Sequence, residues 1–187
     1  MKNLILLLAI AFLTACCSNG DSDNADPISK LPSATQTGAN TAGCLVNGQV
    51  FLPKGSNQFG PTLSCFYQQD QGTYHFGLNI SDKTNGIKSV NLSLNPLQLT
   101  VNNTYLLSEI INGQFNYASN FAEFIIYSDT FSDNRFTTNI VKQGTVTITK
   151  LDTQQKIISG LFWYDAINQQ GEVVQIREGR FDMRYVN

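Results

Sequence analysis

The sequence predicts an all-β domain, an antiparallel meander closed as a small barrel or β-sandwich. From Cys44 onward, short runs alternate apolar and polar residues with a period of two, which is typical of half-buried strands. Turn signals divide these runs into pieces of strand length, and short loops favour up-and-down neighbours. The turns are Asn47-Gly48, Gln71-Gly72, Asn85-Gly86, Asn112-Gly113 and Gln170-Gly171.

The clearest strand covers residues 73–81, where Tyr74, Phe76, Leu78 and Ile80 share one face and His75 lies on the other. Because neighbouring side chains in a strand point to opposite faces, the run at residues 156–166 cannot bury both Phe162 and Trp163 in one core unless the second face of the strand is also covered. We therefore select Trp163, with Tyr164 beside it, as candidate ligand-binding residues, since exposed aromatic rings can stack on sugars.

The last strand changes parity. Val174 and Ile176 are apolar at even positions, whereas Phe181, Met183 and Tyr185 are apolar at odd positions. One extra residue in the strand would place both sets on the same face, so the sequence predicts a β-bulge or bend near Glu178-Gly179.

The N-terminus has the pattern of an export signal. Met1 and Lys2 precede an apolar run at residues 4–13, which is too short for a permanent transmembrane helix. The next residues, Leu13-Thr14-Ala15-Cys16, resemble a bacterial lipobox, in which the cysteine receives the lipid. We expect a signal peptide at residues 1–15 and lipidation of Cys16; an ordinary secretory signal cut after Ala15 is the alternative.

Residues 16–43 are polar and almost free of aromatic residues, so they are predicted to form a flexible linker before a single domain at residues 44–187. Their acidic residues resemble the export signal of Bacteroidetes surface lipoproteins. This resemblance implies an outer-membrane lipoprotein, and the cell surface is favoured over the periplasmic face.

Composition limits the classes of partner. The net charge of −2 offers no basic field, so no nucleic-acid partner is expected. The hydrophobic fraction of 42% is sufficient for one buried core. Cys44 and Cys65 are predicted either to form a disulfide, which an exported protein permits, or to be two separate buried thiols.

No catalytic constellation is evident in the sequence. His75 is the only histidine, so it alone would have to serve a histidine-dependent triad. Asp129, Ser132, Asp133 and Asn134 are typical of a turn, with a calcium loop as the alternative. We therefore predict no metal and no cofactor, and a protein that is not an enzyme.

Several short motifs resemble an uncharacterised Bacteroidetes lipoprotein domain. They are C-L-V-N-G-Q-V-F at residues 44–51, G-T-V-T-I-T-K-L-D at 144–152, I-S-G-L-F at 158–162 and G-R-F-D at 179–182. Phe51 occupies a position where this family often has Trp. The resemblance implies a small secreted β domain of unknown function and transfers no catalytic residues.

Together these observations predict a membrane-anchored envelope lipoprotein with a non-catalytic binding domain. Its expected partners are the membrane, through the lipid, and a glycan or another envelope component. Two alternatives remain open, a carboxylate-dependent glycan-processing enzyme and a purely structural envelope protein.

Overall fold

A computed structural model of the chain describes residues 26–55, 60–108, 120–128 and 134–187. The described part contains one short 3-10 helix, Pro27–Lys30, and eleven β-strands. Within these residues, no helix has the length and apolar character needed to cross a bilayer. The strands are β1 (Thr41–Val46), β2 (Gln49–Phe51), β3 (Leu63–Asp70), β4 (Thr73–Asp82), β5 (Lys88–Leu94), β6 (Thr104–Leu107), β7 (Phe121–Ile126), β8 (Asn134–Thr137), β9 (Gly144–Asp152), β10 (Ile157–Ile167) and β11 (Val173–Arg184).

The strands form one antiparallel sheet in the order β2-β1-β11-β10-β8-β7-β5-β4-β3. The sheet branches at β10, because residues 157–164 pair with β9, whereas Ile167 pairs with Thr137 of β8. Strand β6 extends the branch by pairing with β9. The all-β, antiparallel prediction is therefore confirmed.

The sheet curls into a half-barrel whose ends approach each other. Val186, just after β11, accepts a hydrogen bond from the backbone N–H of Tyr67 (3.1 Å) and donates one to the carbonyl of Cys65 (3.1 Å). At another point, the backbone N–H of Lys54 donates to the carbonyl of Ser81 in β4 (3.1 Å). Curling encloses one face of the sheet as the core, and we call the opposite face the outer face.

Alternation along the strands fills the core as predicted. Phe76, Leu78 and Ile80 of β4 are buried in it, and Tyr74 packs against it. Complete burial of a side chain of this size contributes about 1.5–3 kcal/mol relative to exposure. A series of such inward positions on successive strands therefore stabilises the curl of the sheet.

The predicted bulge in β11 is confirmed. Phe162 pairs with Gly179 and Tyr164 pairs with Ile176, so two residues of β11 lie opposite Trp163 alone. Glu178, one of these two residues, has φ of +54°. The extra residue changes the parity of β11 and lets Ile176 and Phe181 both face the core.

The N-terminal boundary differs from the sequence prediction of a linker that extends to residue 43. Strand β1 begins at Thr41, and Leu31 is buried. A Cβ added at Gly43 would meet side-chain atoms of Pro32 and Leu52, which shows that residue 32 lies against β1. Residues 35–39 have the polar composition that is typical of a tether. In the structure they supply hydrogen-bond donors to a buried carboxylate of β11.

The structure has Cys44 and Cys65 as free thiols, both buried, rather than as a disulfide. Burial raises the pKa of the Cys44 thiol to about 12 and also raises the pKa of Cys65. Because the thiolate is the reactive form of cysteine, these side chains behave as small apolar residues of the core.

Candidate ligand-binding face

Trp163 lies on the outer face of β10, opposite Phe162, and the alternation of the strand predicts that these two side chains point to different faces. Its side chain is 44% exposed, whereas its neighbours Phe162 and Tyr164 are buried in the core. Tyr164 was also expected to contact a ligand, and the structure contradicts this because its even position places the ring inward. Its hydroxyl donates a 2.6 Å hydrogen bond to the carbonyl of Glu123, and burial raises its pKa.

Trp163 stands among side chains from four adjacent strands. In one cross-strand row, Leu106 of β6 pairs with Thr145 of β9, which pairs with Trp163. In the next row, Thr147 pairs with Thr104 on one side and with Leu161 on the other. We call this surface the Trp163 face; its members are Thr104, Leu106, Thr145, Thr147, Leu161, Trp163, Arg177, Glu178 and Arg180.

The Trp163 face combines apolar and polar side chains around a shallow groove. Leu106 and Leu161 are exposed beside the tryptophan, and the hydroxyls of Thr104 and Thr147 lie 2.8 Å apart. The groove has a volume of about 380 Å³ and extends from Thr145 and Thr147 to Arg180. It therefore offers an aromatic ring, hydroxyls and charged groups to one ligand.

Arg177, which lies in the bulge of β11, is fixed against Trp163. Its guanidinium carbon is 5.4 Å from the centroid of the indole ring. One guanidinium nitrogen donates to a carboxylate oxygen of Asp165 at 2.6 Å, and another donates to the backbone carbonyl of Tyr164 at 3.0 Å. A cation–π contact at an exposed site contributes about 0.5–1 kcal/mol. These contacts restrict the guanidinium and support the ring beside it.

Arg180 forms the second ion pair of this face. It donates to the carboxylate of Glu178 at 3.0 Å and, through Nε, to the backbone carbonyl of Glu178 at 3.0 Å. Each arginine of the Trp163 face is thus paired with a carboxylate, so the surface is locally close to neutral. A neutral, hydroxyl-rich surface with one exposed indole is suited to a polar, uncharged ligand.

Asp182 is the most strongly hydrogen-bonded carboxylate among the described residues, and it is 1% exposed. Its oxygens accept six hydrogen bonds, and the donors are the Thr35 hydroxyl, the Thr37 amide and hydroxyl, the amides of Gly38 and Ala39, and the Ser159 hydroxyl. Burial alone would raise the pKa of Asp182. The hydrogen bonds outweigh that effect and hold the pKa well below its usual range.

The motifs of β10 and β11 interlock around this carboxylate. Gly160 pairs with Phe181, Phe162 pairs with Gly179, and Ser159 donates to Asp182. A Cβ at Gly160 would contact the Phe181 ring, and one at Gly179 would contact the Phe162 ring. Each glycine thus makes room for the phenylalanine of the opposite strand, so these motif residues have a structural role.

His75 is on the outer face of β4, as predicted, and it has polar partners. Its Nδ1 lies 2.9 Å from the amide oxygen of Asn95, and its Nε2 lies 3.0 Å from the hydroxyl of Thr73. These contacts connect the β3–β4 hairpin to the segment that follows β5.

A second groove, with a volume of about 570 Å³, lies at the end of β8 and β10. Asn168, which lines it, donates to Asn134 and Glu172 and accepts from the backbone amides of Gln170 and Glu172. This amide therefore shapes the β10–β11 turn.

Some of the other residues that the sequence analysis named are not among those that the structure describes. Cys16, the Asn112-Gly113 turn, Asp129, Ser132 and Asp133 lie outside the described residues. Among the residues that are described, no group of three or more histidine, cysteine or acidic side chains is placed to hold a metal ion.

The sequence indicated Trp163 as a candidate ligand-binding residue, but it did not indicate which residues surround it. Leu106 and Thr145 are far from Trp163 in sequence, and only the β6–β9–β10 register brings them together. The parity change in β11 was the one available signal for Arg177, because a bulge redirects the side chains beside it.

The fold and the face define a class of protein, a curled antiparallel β domain whose outer face exposes a tryptophan beside threonine hydroxyls and ion-paired arginines. A family described as a domain of unknown function (DUF6252) matches residues 77–183. The match covers more than half of the chain, so the chain belongs to this family. No curated protein and no solved structure matches the chain.

Proposed function

We propose that the protein is an exported bacterial lipoprotein, anchored through Cys16, whose β domain binds a glycan or another envelope component on the Trp163 face. The observation that carries the binding proposal is the exposed Trp163 ring, supported by Arg177 and surrounded by threonine hydroxyls.

The anchor is supported by the N-terminal sequence. A short basic start, an apolar run of about ten residues and Leu13-Thr14-Ala15-Cys16 form the pattern of a lipoprotein signal. The resemblance to Bacteroidetes lipoproteins and the acidic residues that follow Cys16 favour the surface of the outer membrane.

Glycan binding is supported by the chemistry of the Trp163 face. A sugar ring presents C–H groups that stack on an indole and hydroxyls that exchange hydrogen bonds with threonine, arginine and carboxylate groups. In the groove these groups project from neighbouring strands, and the pairing of the strands fixes their relative positions.

The number of carboxylates at the groove favours binding over hydrolysis. Glycosidases place two carboxyl groups about 5–10 Å apart across the scissile bond. Among the described residues that line this groove, Glu178 is the one with a carboxylate, and it is ion-paired with Arg180. A non-catalytic role at this face is therefore the better account.

Glycan-array binding of fluorescently labelled protein tests the proposal. We expect wild-type protein to select a subset of glycans and Trp163→Ala to reduce that binding at least about tenfold, the equivalent of a lost stacking contact of about 1.4 kcal/mol. Tyr127→Ala is the matched control, because Tyr127 is also an exposed aromatic residue (40%) but lies at the end of β7.

Selective binding that is lost in Trp163→Ala and kept in Tyr127→Ala would support the proposal. A flat response across the array, or equal binding by wild type and Trp163→Ala, would contradict it.

A further inference from the structure

The turn between β8 and β9 exposes two large apolar residues. Ile140 is 71% exposed and Val141 is 78% exposed, the highest values among the large hydrophobic residues that the structure describes. Adjacent exposed aliphatic side chains at the tip of a loop suggest a surface that meets an apolar environment.

This turn is held in one conformation by Asn139. Its side-chain oxygen accepts hydrogen bonds from the backbone amides of Val141 (2.8 Å) and Lys142 (2.7 Å). Its own backbone amide donates to the carbonyl of Lys142 (2.7 Å). These hydrogen bonds already fix the turn that carries the apolar tip. The tip therefore loses little conformational entropy when it enters an apolar environment.

The tip lies at the same end of the sheet as the β1–β2 turn. The backbone amide of Asn47, in that turn, donates to the carbonyl of Gln175, which pairs with Asp165. The amide of Asp165 in turn donates to the carbonyl of Gln143, next to the tip.

The described chain also begins near this end. Helix Pro27–Lys30 lies beside β2, the strand that follows the β1–β2 turn. Nine residues lie between Cys16 and Asp26, and the ten peptide steps that join these two residues span at most about 35 Å. A lipid on Cys16 would therefore keep this end of the domain within reach of the bilayer.

The residues around the tip suit a lipid surface. Lys142 follows the two aliphatic residues and offers a positive charge to anionic lipid headgroups. The neighbouring β10–β11 turn exposes the amides of Gln169 and Gln170 and the carboxylate of Glu172, which accepts a hydrogen bond from Asn168, and exposed Val173 begins β11 at the same end. The tip itself carries two aliphatic side chains and a lysine, so it can enter a membrane interface while the carboxylate of Glu172 stays on the neighbouring turn.

We propose that the Ile140–Val141 turn inserts into the membrane–water interface and orients the anchored domain on its bilayer. This inference rests on the proposed lipid anchor at Cys16. Insertion of the turn would leave the β9–β10 hairpin, at the opposite end of the sheet, pointing away from the membrane.

The test uses the mature lipoprotein reconstituted into vesicles of phosphatidylethanolamine and phosphatidylglycerol, in a Cys17→Ser background. An environment-sensitive fluorophore is attached at Val141→Cys or, as the matched control, at Gln154→Cys in the exposed β9–β10 turn. The buried Cys44 and Cys65 thiols have raised pKa values, so they label slowly.

We expect the label at position 141 to shift to shorter emission wavelengths on vesicles. Lipids with a doxyl group should quench it at least about twice as strongly as the label at position 154. Unchanged emission on vesicle-bound protein would overturn the inference, as would a shift without doxyl quenching, which would indicate a protein partner. Loss of protein from floated vesicles would instead overturn the anchor, and the inference with it.

Discussion

The carboxylate of Asp182 accepts a 2.8 Å hydrogen bond from the backbone amide of Gly38, 144 residues earlier in the chain. Together with the donors at Thr35, Thr37 and Ala39, this contact fastens the segment before β1 to the last strand. The folded domain therefore includes residues that resemble a linker in the sequence.

Replacing Asp182 by Asn should destabilise the domain by about 3 kcal/mol or more, because hydrogen bonds to a charged group contribute about 1.5–3 kcal/mol each and an amide cannot accept six. Urea unfolding of the mature protein measures this change. Asp70→Asn, at the exposed end of β3, is the control and should change the free energy of unfolding by less than about 0.5 kcal/mol. Equal stability of wild type and Asp182→Asn would contradict the role given to this carboxylate.

Acid should weaken the same contact. Because the folded state lowers the pKa of Asp182, the carboxylate stabilises the fold fully above its unfolded pKa of about 4. That contribution is lost progressively as the pH falls below about 4 towards the lower folded-state pKa. Unfolding free energies measured between pH 7 and pH 2 should therefore fall more steeply for wild type than for Asp182→Asn. Parallel curves for the two proteins would exclude Asp182 as a source of the acid sensitivity.

The fold class and the opposite orientations of Phe162 and Trp163 were predictable from the sequence because both depend on local alternation. The parity change between Ile176 and Phe181 likewise predicted the bulge, since a strand cannot keep two registers of apolar residues on one face. These are short-range signals that the side-chain period of a strand determines.

The Asp182 cluster and the full Trp163 face depend on contacts between residues far apart in the chain. Nothing near Gly38 indicates that its amide will meet a carboxylate in the final strand, and an Asp within alternating charges is typical of a solvated edge. Tyr164 was selected for its closeness to Trp163 in sequence, although alternation places its ring in the core. The pairing of β6 with β9 can be recognised only when the strand order of the sheet is known.

Gly160→Ala should destabilise the domain by about 1–3 kcal/mol, the usual cost of overpacking a core, because the new methyl group would overlap the ring of Phe181 and the backbone carbonyl oxygen of Thr147. Thermal unfolding measures the change. The double variant Gly160→Ala, Phe181→Leu should recover part of the loss relative to the sum of the two single variants. Strict additivity of the two changes would indicate that the cost arises at the carbonyl of Thr147 and not at the ring of Phe181.

Cys16→Ala should abolish lipid attachment and release the protein from the membrane fraction. Metabolic labelling with a clickable palmitate analogue, followed by membrane fractionation, measures both effects in cells. Cys17→Ala is the matched control and should retain the label and the membrane location. Label that persists in Cys16→Ala and disappears in Cys17→Ala would move the anchor to Cys17.

The most direct test of the central claim is the intrinsic fluorescence of Trp163, the only tryptophan in the chain. During titration with the glycan that binds best on the array, we predict a saturable change in its emission that follows the binding curve, in wild type and in Tyr127→Ala alike. A ring that is 44% exposed and supported by Arg177 should lose contact with water when a sugar stacks on it. Binding of the glycan with no change in Trp163 emission would place the site elsewhere and contradict the account.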